Sequence, residues 1–88
     1  MAIRGKRAAD GDAAVFAITT EHCPQVLCRL IGLLAQQDRL VDWVRVDTGA
    51  RTCRVSLAVS GVDRQRAEII AEKMRGLVRV RSVRLRLP

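Results

Sequence analysis

The hydrophobic period changes four times along the chain, and that order of changes limits the fold more than any single residue does. From Ala13 to Thr20, Ala14, Phe16 and Ile18 alternate with Val15 and Ala17, so both faces are apolar and the run suits a central strand. Glu21-His22-Cys23-Pro24 breaks it, with Pro24 placed where a helix needs no N–H. The period then becomes helical from Gln25 to Gln37, with Leu27, Leu30, Ile31 and Leu34 at i, i+3, i+4 and i+7. Val26 and Leu33 widen this stripe beyond what one sheet contact needs. The excess is either a generous core face or a second contact surface.

Leu40 to Asp47 returns to period two, and Thr48-Gly49-Ala50 is a turn between extended segments. The strand that follows has the cleanest alternation. Cys53, Val55, Leu57 and Val59 point to a core, and Thr52, Arg54, Ser56 and Ala58 point away from it. Val62 to Arg75 is helical again, through Ala67, Ile70, Ala71 and Met74, with Gly76 at the C-terminal cap. Leu77 to Leu87 alternates Val78 and Val80 with Arg79 and Arg81, then slips at Ser82-Val83 before Leu85 and Leu87. Such a slip predicts a bulge, and the Arg-rich face suits an edge strand. Strand, helix, strand, strand, helix, strand with right-handed crossovers defines an α+β, ferredoxin-like βαββαβ domain, a four-stranded antiparallel sheet with two helices on one face. Residues 1–12 read as a flexible tail before a single domain over 13–88.

Eighty-eight residues with 49% apolar content make one domain with a modest core. No apolar run reaches a membrane span and no signal-peptide core is visible, so a cytoplasmic protein without membrane contact is expected. The net charge is +7, and fourteen of the sixteen cationic residues are arginine. Either a GC-rich genome or a polyanionic partner accounts for that. Single-stranded nucleic acid would need aromatic platforms on the central strands, and Phe16 and Trp43 are the only aromatics, so nucleic acid is a minor alternative.

Cys23, Cys28 and Cys53 read as reduced and partly buried. One histidine and no CxxC argue against zinc. His22 lacks a nucleophile at a recognisable spacing, the carboxylates sit at element ends and polar faces, and the glycines are too dispersed for a phosphate loop. No metal, no cofactor and no catalytic residue is assigned.

The run Val26-Leu27-Cys28-Arg29-Leu30-Ile31-Gly32-Leu33-Leu34-Ala35-Gln36 resembles the first helix of the small regulatory subunits of acetolactate synthase, which carry L-x-R-[VI]-[IV]-G-L-[FL]-x-Q. Leu77-Val78-x-Val80-x-x-Val83 is similar to the L-V-D-V-x-x-V ending of that family, and the element order matches its ACT domain. The length resembles the short members, of the isozyme II type. The resemblance implies a non-catalytic subunit that binds and activates a large catalytic subunit in branched-chain amino-acid synthesis. The partner would hold thiamine diphosphate, magnesium and FAD, and this chain would hold no cofactor.

The resemblance also implies an effector site. In valine-sensing members an N-x-x-G loop precedes the first helix and an Asn follows it. Those positions fall on His22, Gln25 and Leu40, with Val26 and Val41 adjoining. All three depart from the sensing pattern. An amino-acid zwitterion without those partners would leave polar groups unpaired at about 1–3 kcal/mol each, so valine insensitivity is expected. A homodimer through the ACT domains is expected to use Val26, Leu33, Val41 and Trp43. Trp43 is either an interface anchor or a core residue. A free-standing amino-acid sensor and a basic nucleic-acid module are the alternatives.

Overall fold

The structure is a computed structural model that describes residues 2–4, 13–37 and 41–87. Its elements are β1 (Ala2–Arg4), β2 (Ala13–Glu21), α1 (Pro24–Gln36), β3 (Trp43–Thr48), β4 (Thr52–Ser60), α2 (Arg64–Arg75) and β5 (Val80–Arg86). They form one antiparallel sheet in the order β1-β3-β4-β2-β5. The last four strands and both helices are the expected ferredoxin-like arrangement. β1 is an addition. Residues 2–4, expected to belong to a loose tail, pair with β3 through Ala2 opposite Arg45 and Arg4 opposite Trp43. β1 therefore occupies the edge beside β3 and β5 the opposite one. The remainder of that expected tail lies outside the described residues.

Antiparallel partners share a sheet face, so the registers separate two layers. Ala14, Phe16 and Ile18 of β2 lie opposite Val59, Leu57 and Val55 of β4, and Val44 and Val46 of β3 continue the same rows. With Val83 of β5 they meet Val26, Leu30, Leu33 and Leu34 of α1 and Ala67, Ile70, Ala71 and Met74 of α2. These residues form one core cluster among the described residues. Removing a Val, Leu or Ile side chain from water here contributes about 1.5–3 kcal/mol each.

The core-facing stripe of α1 is rotated from the expected one. Leu30 and Leu34 are buried as read, but Val26 and Leu33 complete the face, while Leu27 is half-buried and Ile31 is 38% exposed. Between two overlapping apolar stripes, the sheet selects the one that its own rows contact. Thr20, the one buried polar residue among the described core, donates its hydroxyl to the Glu21 carbonyl oxygen at 2.9 Å.

Boundaries moved where local bonds outweighed periodicity. α2 starts at Arg64 rather than Val62, because the Asp63 carboxylate accepts from the Arg66 N–H at 2.7 Å and caps the helix. β3 starts at Trp43; the expected first strand residue, Leu40, lies outside the described residues. Gly76 is the C-cap as read, yet its φ of −78° is right-handed. The left-handed residue of that connection is Arg79, at φ 75°. Residues 76–79 are therefore a turn, which leaves Val78 64% exposed and delays β5 to Val80.

The predicted bulge is present. Thr19 faces Ser82 and Thr20 faces Val80, so Arg81 is the extra residue. That extra residue lets Val80, Val83 and Leu85 share the core side. Arg75 crosses from α2 and donates to the Val83 carbonyl oxygen at 3.0 Å, which holds the edge strand against the helix layer.

Candidate functional site

The loop that the resemblance marks as an effector site joins β2 to α1. Its His22 is exposed, and its backbone N–H donates to the Arg51 carbonyl oxygen at 3.1 Å. Cys23 takes the N-cap position with extended backbone and no side-chain cap bond, and Pro24 opens the helix. Gln25 is exposed, whereas Val26 is buried against the sheet.

Val41 is half-buried against the same core but at the other end of the sheet. The Asp42 N–H next to it donates to the Ala58 carbonyl oxygen at 2.8 Å, and the Asp42 carboxylate accepts from the Ser60 hydroxyl. Ala58 lies opposite Val15, near the start of β2, while His22 follows its last residue, Glu21. Six strand residues at about 3.4 Å each separate the two levels, on the order of 20 Å. One chain does not bring His22 and Gln25 to Val41. A site using both groups needs two chains.

Val26 and Leu33, the expected interface candidates on α1, are buried in the chain's own core. Trp43 differs. It is half-buried and stands outside the core cluster, on the sheet face that carries no helix. Its row there runs Trp43, Ala58, Val15, Arg86 across β3, β4, β2 and β5. Ala58 points away from the core, as the alternation predicts, yet it is fully buried between Trp43 and Val15. A small residue flanked by a tryptophan is covered without a helix above it.

The next two rows of the open face are Arg45, Ser56, Ala17, Arg84 and then Asp47, Arg54, Thr19, Ser82. A depression of about 380 Å³ lies over β4, β2 and β5 here. Sequence reasoning identified the outward residues of β4, but which β2 and β5 residues flank them follows only from the strand order.

Cys23 and Cys53 are half-buried as expected, but Cys28 is exposed on α1, and the three form no disulfide. Among the described residues no group of three or more His, Cys, Asp or Glu side chains converges as a metal site. No described helix is long and apolar enough to cross a membrane. Phe16 is in the core and Trp43 is on β3, so the open face of β4 and β2 has no stacking platform.

These features define a small α+β domain with the ferredoxin-like fold. A family model described as an ACT-like domain matches residues 8–87, and the chain belongs to that family. Its fold is similar to the ACT domain from GTP pyrophosphokinase of Chlorobium tepidum, with a TM-score of 0.74 at 14% identity, covering 84% of this chain and 96% of that one. It is also similar to the C-terminal domain of the MgtC protein from Mycobacterium tuberculosis, with a TM-score of 0.69 at 10% identity, covering 93% of this chain and 94% of that one. At such identities the likeness is one of fold. Comparison with curated protein sequences gives no match.

Proposed function

We propose that this ACT-like domain is a non-catalytic regulatory module that acts by binding a catalytic partner, and that the partner is the large subunit of acetolactate synthase. The observation that carries the proposal is on α1. Cys28, Ile31, Gly32 and Ala35, at i, i+3, i+4 and i+7, are all exposed, and the half-buried Leu27 flanks them. All five belong to the run that resembles the acetolactate synthase small subunits; Leu27 also packs against the chain's own core, whereas Cys28, Ile31, Gly32 and Ala35 do not. A Cβ built on Gly32 meets nothing within 4 Å, so its glycine answers to no contact inside the described chain. A partner helix approaching closely would account for it.

Activation then requires the chain to bind the active conformation of the catalytic subunit more tightly than the inactive one. The experiment is acetolactate formation by that subunit, with thiamine diphosphate and magnesium, in the presence and absence of this protein. Several-fold stimulation at stoichiometric amounts is expected. Unchanged turnover together with separate elution of the two proteins would reject acetolactate synthase as the partner. Valine added to the same assay is expected to have little effect, because Gln25 and His22 replace the sensing pattern.

A second reading, a free-standing amino-acid sensor, draws support from the separation of His22 and Gln25 from Val41. An effector site using both would lie between two copies. Amino-acid titrations monitored by sedimentation test it: ligand-dependent dimerisation without any catalytic subunit would favour the sensor.

A further inference from the structure

We infer that the open face of the sheet holds an anion site for a small phosphate monoester, built by Arg54 and Arg84. The inference is independent of which catalytic partner the chain binds. The depression there is floored by Ala17 at the centre of β2 and bordered by Thr19, Ser56 and Ser82. Arg54 stands on one side and Arg84 on the other. Their Cα atoms are two strand spacings and one row apart, about 12 Å, so a ligand over Ala17 lies between them. Three hydroxyls supply donors around the same floor, and the lining contains no carboxylate.

The pairing of the surrounding charges sets this site apart from an ordinary basic surface. Asp47 lies directly opposite Arg54, yet its carboxylate is 3.2 Å from the Arg45 guanidinium. Glu21, two residues beyond Thr19, is 3.3 Å from Arg79. Among the described residues, the acidic side chains that the strands place on the open face, Asp47 and Glu21, are thus held by other arginines. Among the described residues Arg54 and Arg84 have no carboxylate partner. Two arginines lining one small-floored depression, without a carboxylate partner among the described residues, match a dianionic oxyanion, which accepts bidentate hydrogen bonds from arginine. About 380 Å³ of space admits a small organic phosphate rather than the anion alone.

The probe is inorganic phosphate, titrated into the full chain at low ionic strength and followed by backbone amide shifts. Saturable shifts centred on Thr19, Ser56 and Ser82 are expected. Arg54→Ala and Arg84→Ala should each weaken the affinity at least fivefold with thermal stability retained. Arg64→Ala, which removes the same charge from exposed α2, should leave it unchanged. Arg45→Ala should also weaken it, because the released Asp47 then faces Arg54. Shifts that do not saturate, or an equal loss in Arg64→Ala, would overturn the site. A second arm uses a single-stranded twelve-nucleotide thymidine oligomer. If it binds far more tightly than phosphate, with a salt dependence that steepens with length, the face reads a polyanion and the small-ligand site is rejected.

Discussion

Glu21 and Arg79 hold each other twice across the edge of the sheet. The Glu21 N–H donates to the Arg79 carbonyl oxygen at 2.9 Å, and the Arg79 guanidinium lies 3.3 Å from the Glu21 carboxylate. The backbone bond fixes the point where β5 joins β2, immediately before the bulge at Arg81. Arg79 makes that bond from the left-handed conformation, at φ 75°. For a side chain with a Cβ this costs about 1–2 kcal/mol.

Arg79→Gly is therefore expected to be more stable than Arg79→Ala by about 1 kcal/mol, although both lose the same ion pair. Both partners are about half exposed, so the ion pair itself is screened and Glu21→Gln should change stability by less than about 0.5 kcal/mol. Urea unfolding of the three variants measures both differences. Equal stability of the glycine and alanine variants would mean that position 79 is not held left-handed.

Gly49 and Gly32 should respond to alanine with opposite signs. In the β3–β4 turn the Gly49 N–H donates to the Thr52 carbonyl oxygen at 2.8 Å, and a Cβ on Gly49 would lie 3.0 Å from that same oxygen. Backbone must shift to admit it, so Gly49→Ala is expected to destabilise by roughly 1 kcal/mol. Gly32 is in mid-helix with open space around it, and Gly32→Ala should stabilise by about 0.5–1 kcal/mol through helix propensity. A larger residue at 32, such as Gln, should leave the isolated chain folded and weaken binding to the catalytic partner. Melting temperature and co-elution read the two effects separately.

Strand and helix order was legible because each element buries one face, and burial of one face imposes its period on the sequence. β4 is the clearest case, with Val55, Leu57 and Val59 buried as read. What periodicity left open was the choice between neighbouring stripes. On α1 the apolar positions number more than one face can bury, and the sheet rather than the helix decides that Leu33 goes in and Ile31 stays out. The turn at 76–79 was hidden because Val78 continues the alternation without being buried. The open-face depression was illegible for a different reason. Ala17, Ser56 and Arg84 are far apart in sequence, and only the strand order sets them in one row.

The cap of α2 offers a local test. Asp63 accepts from the Arg66 N–H, and no other side chain caps that end among the described residues. Asp63→Ala is expected to cost about 1 kcal/mol, and Asp63→Asn much less, since an amide oxygen can accept the same bond. For a domain of this size the alanine loss corresponds to about 4–8 °C in melting temperature. An equal loss in both variants would show that charge at the helix N-terminus, rather than the cap bond, supplies the stability.

Trp43 poses the question of core against interface most directly. It lies on the open face, covers Ala58 from the β3 side and stands outside the cluster that Phe16 and Leu57 occupy. Trp43→Ala should therefore keep the fold, with a loss of about 1–2 kcal/mol for the part of the ring now withdrawn from water. Phe16→Ala, by comparison, opens a cavity in the core and should cost about 3–5 kcal/mol, enough to unfold a marginal domain. Far-UV circular dichroism during urea unfolding ranks the two without relying on the lost indole. If Trp43 also anchors a second chain, sedimentation will show the variant dissociating while its secondary structure persists. Unfolding of Trp43→Ala to the same extent as Phe16→Ala would instead place the tryptophan among the residues that the fold cannot lose.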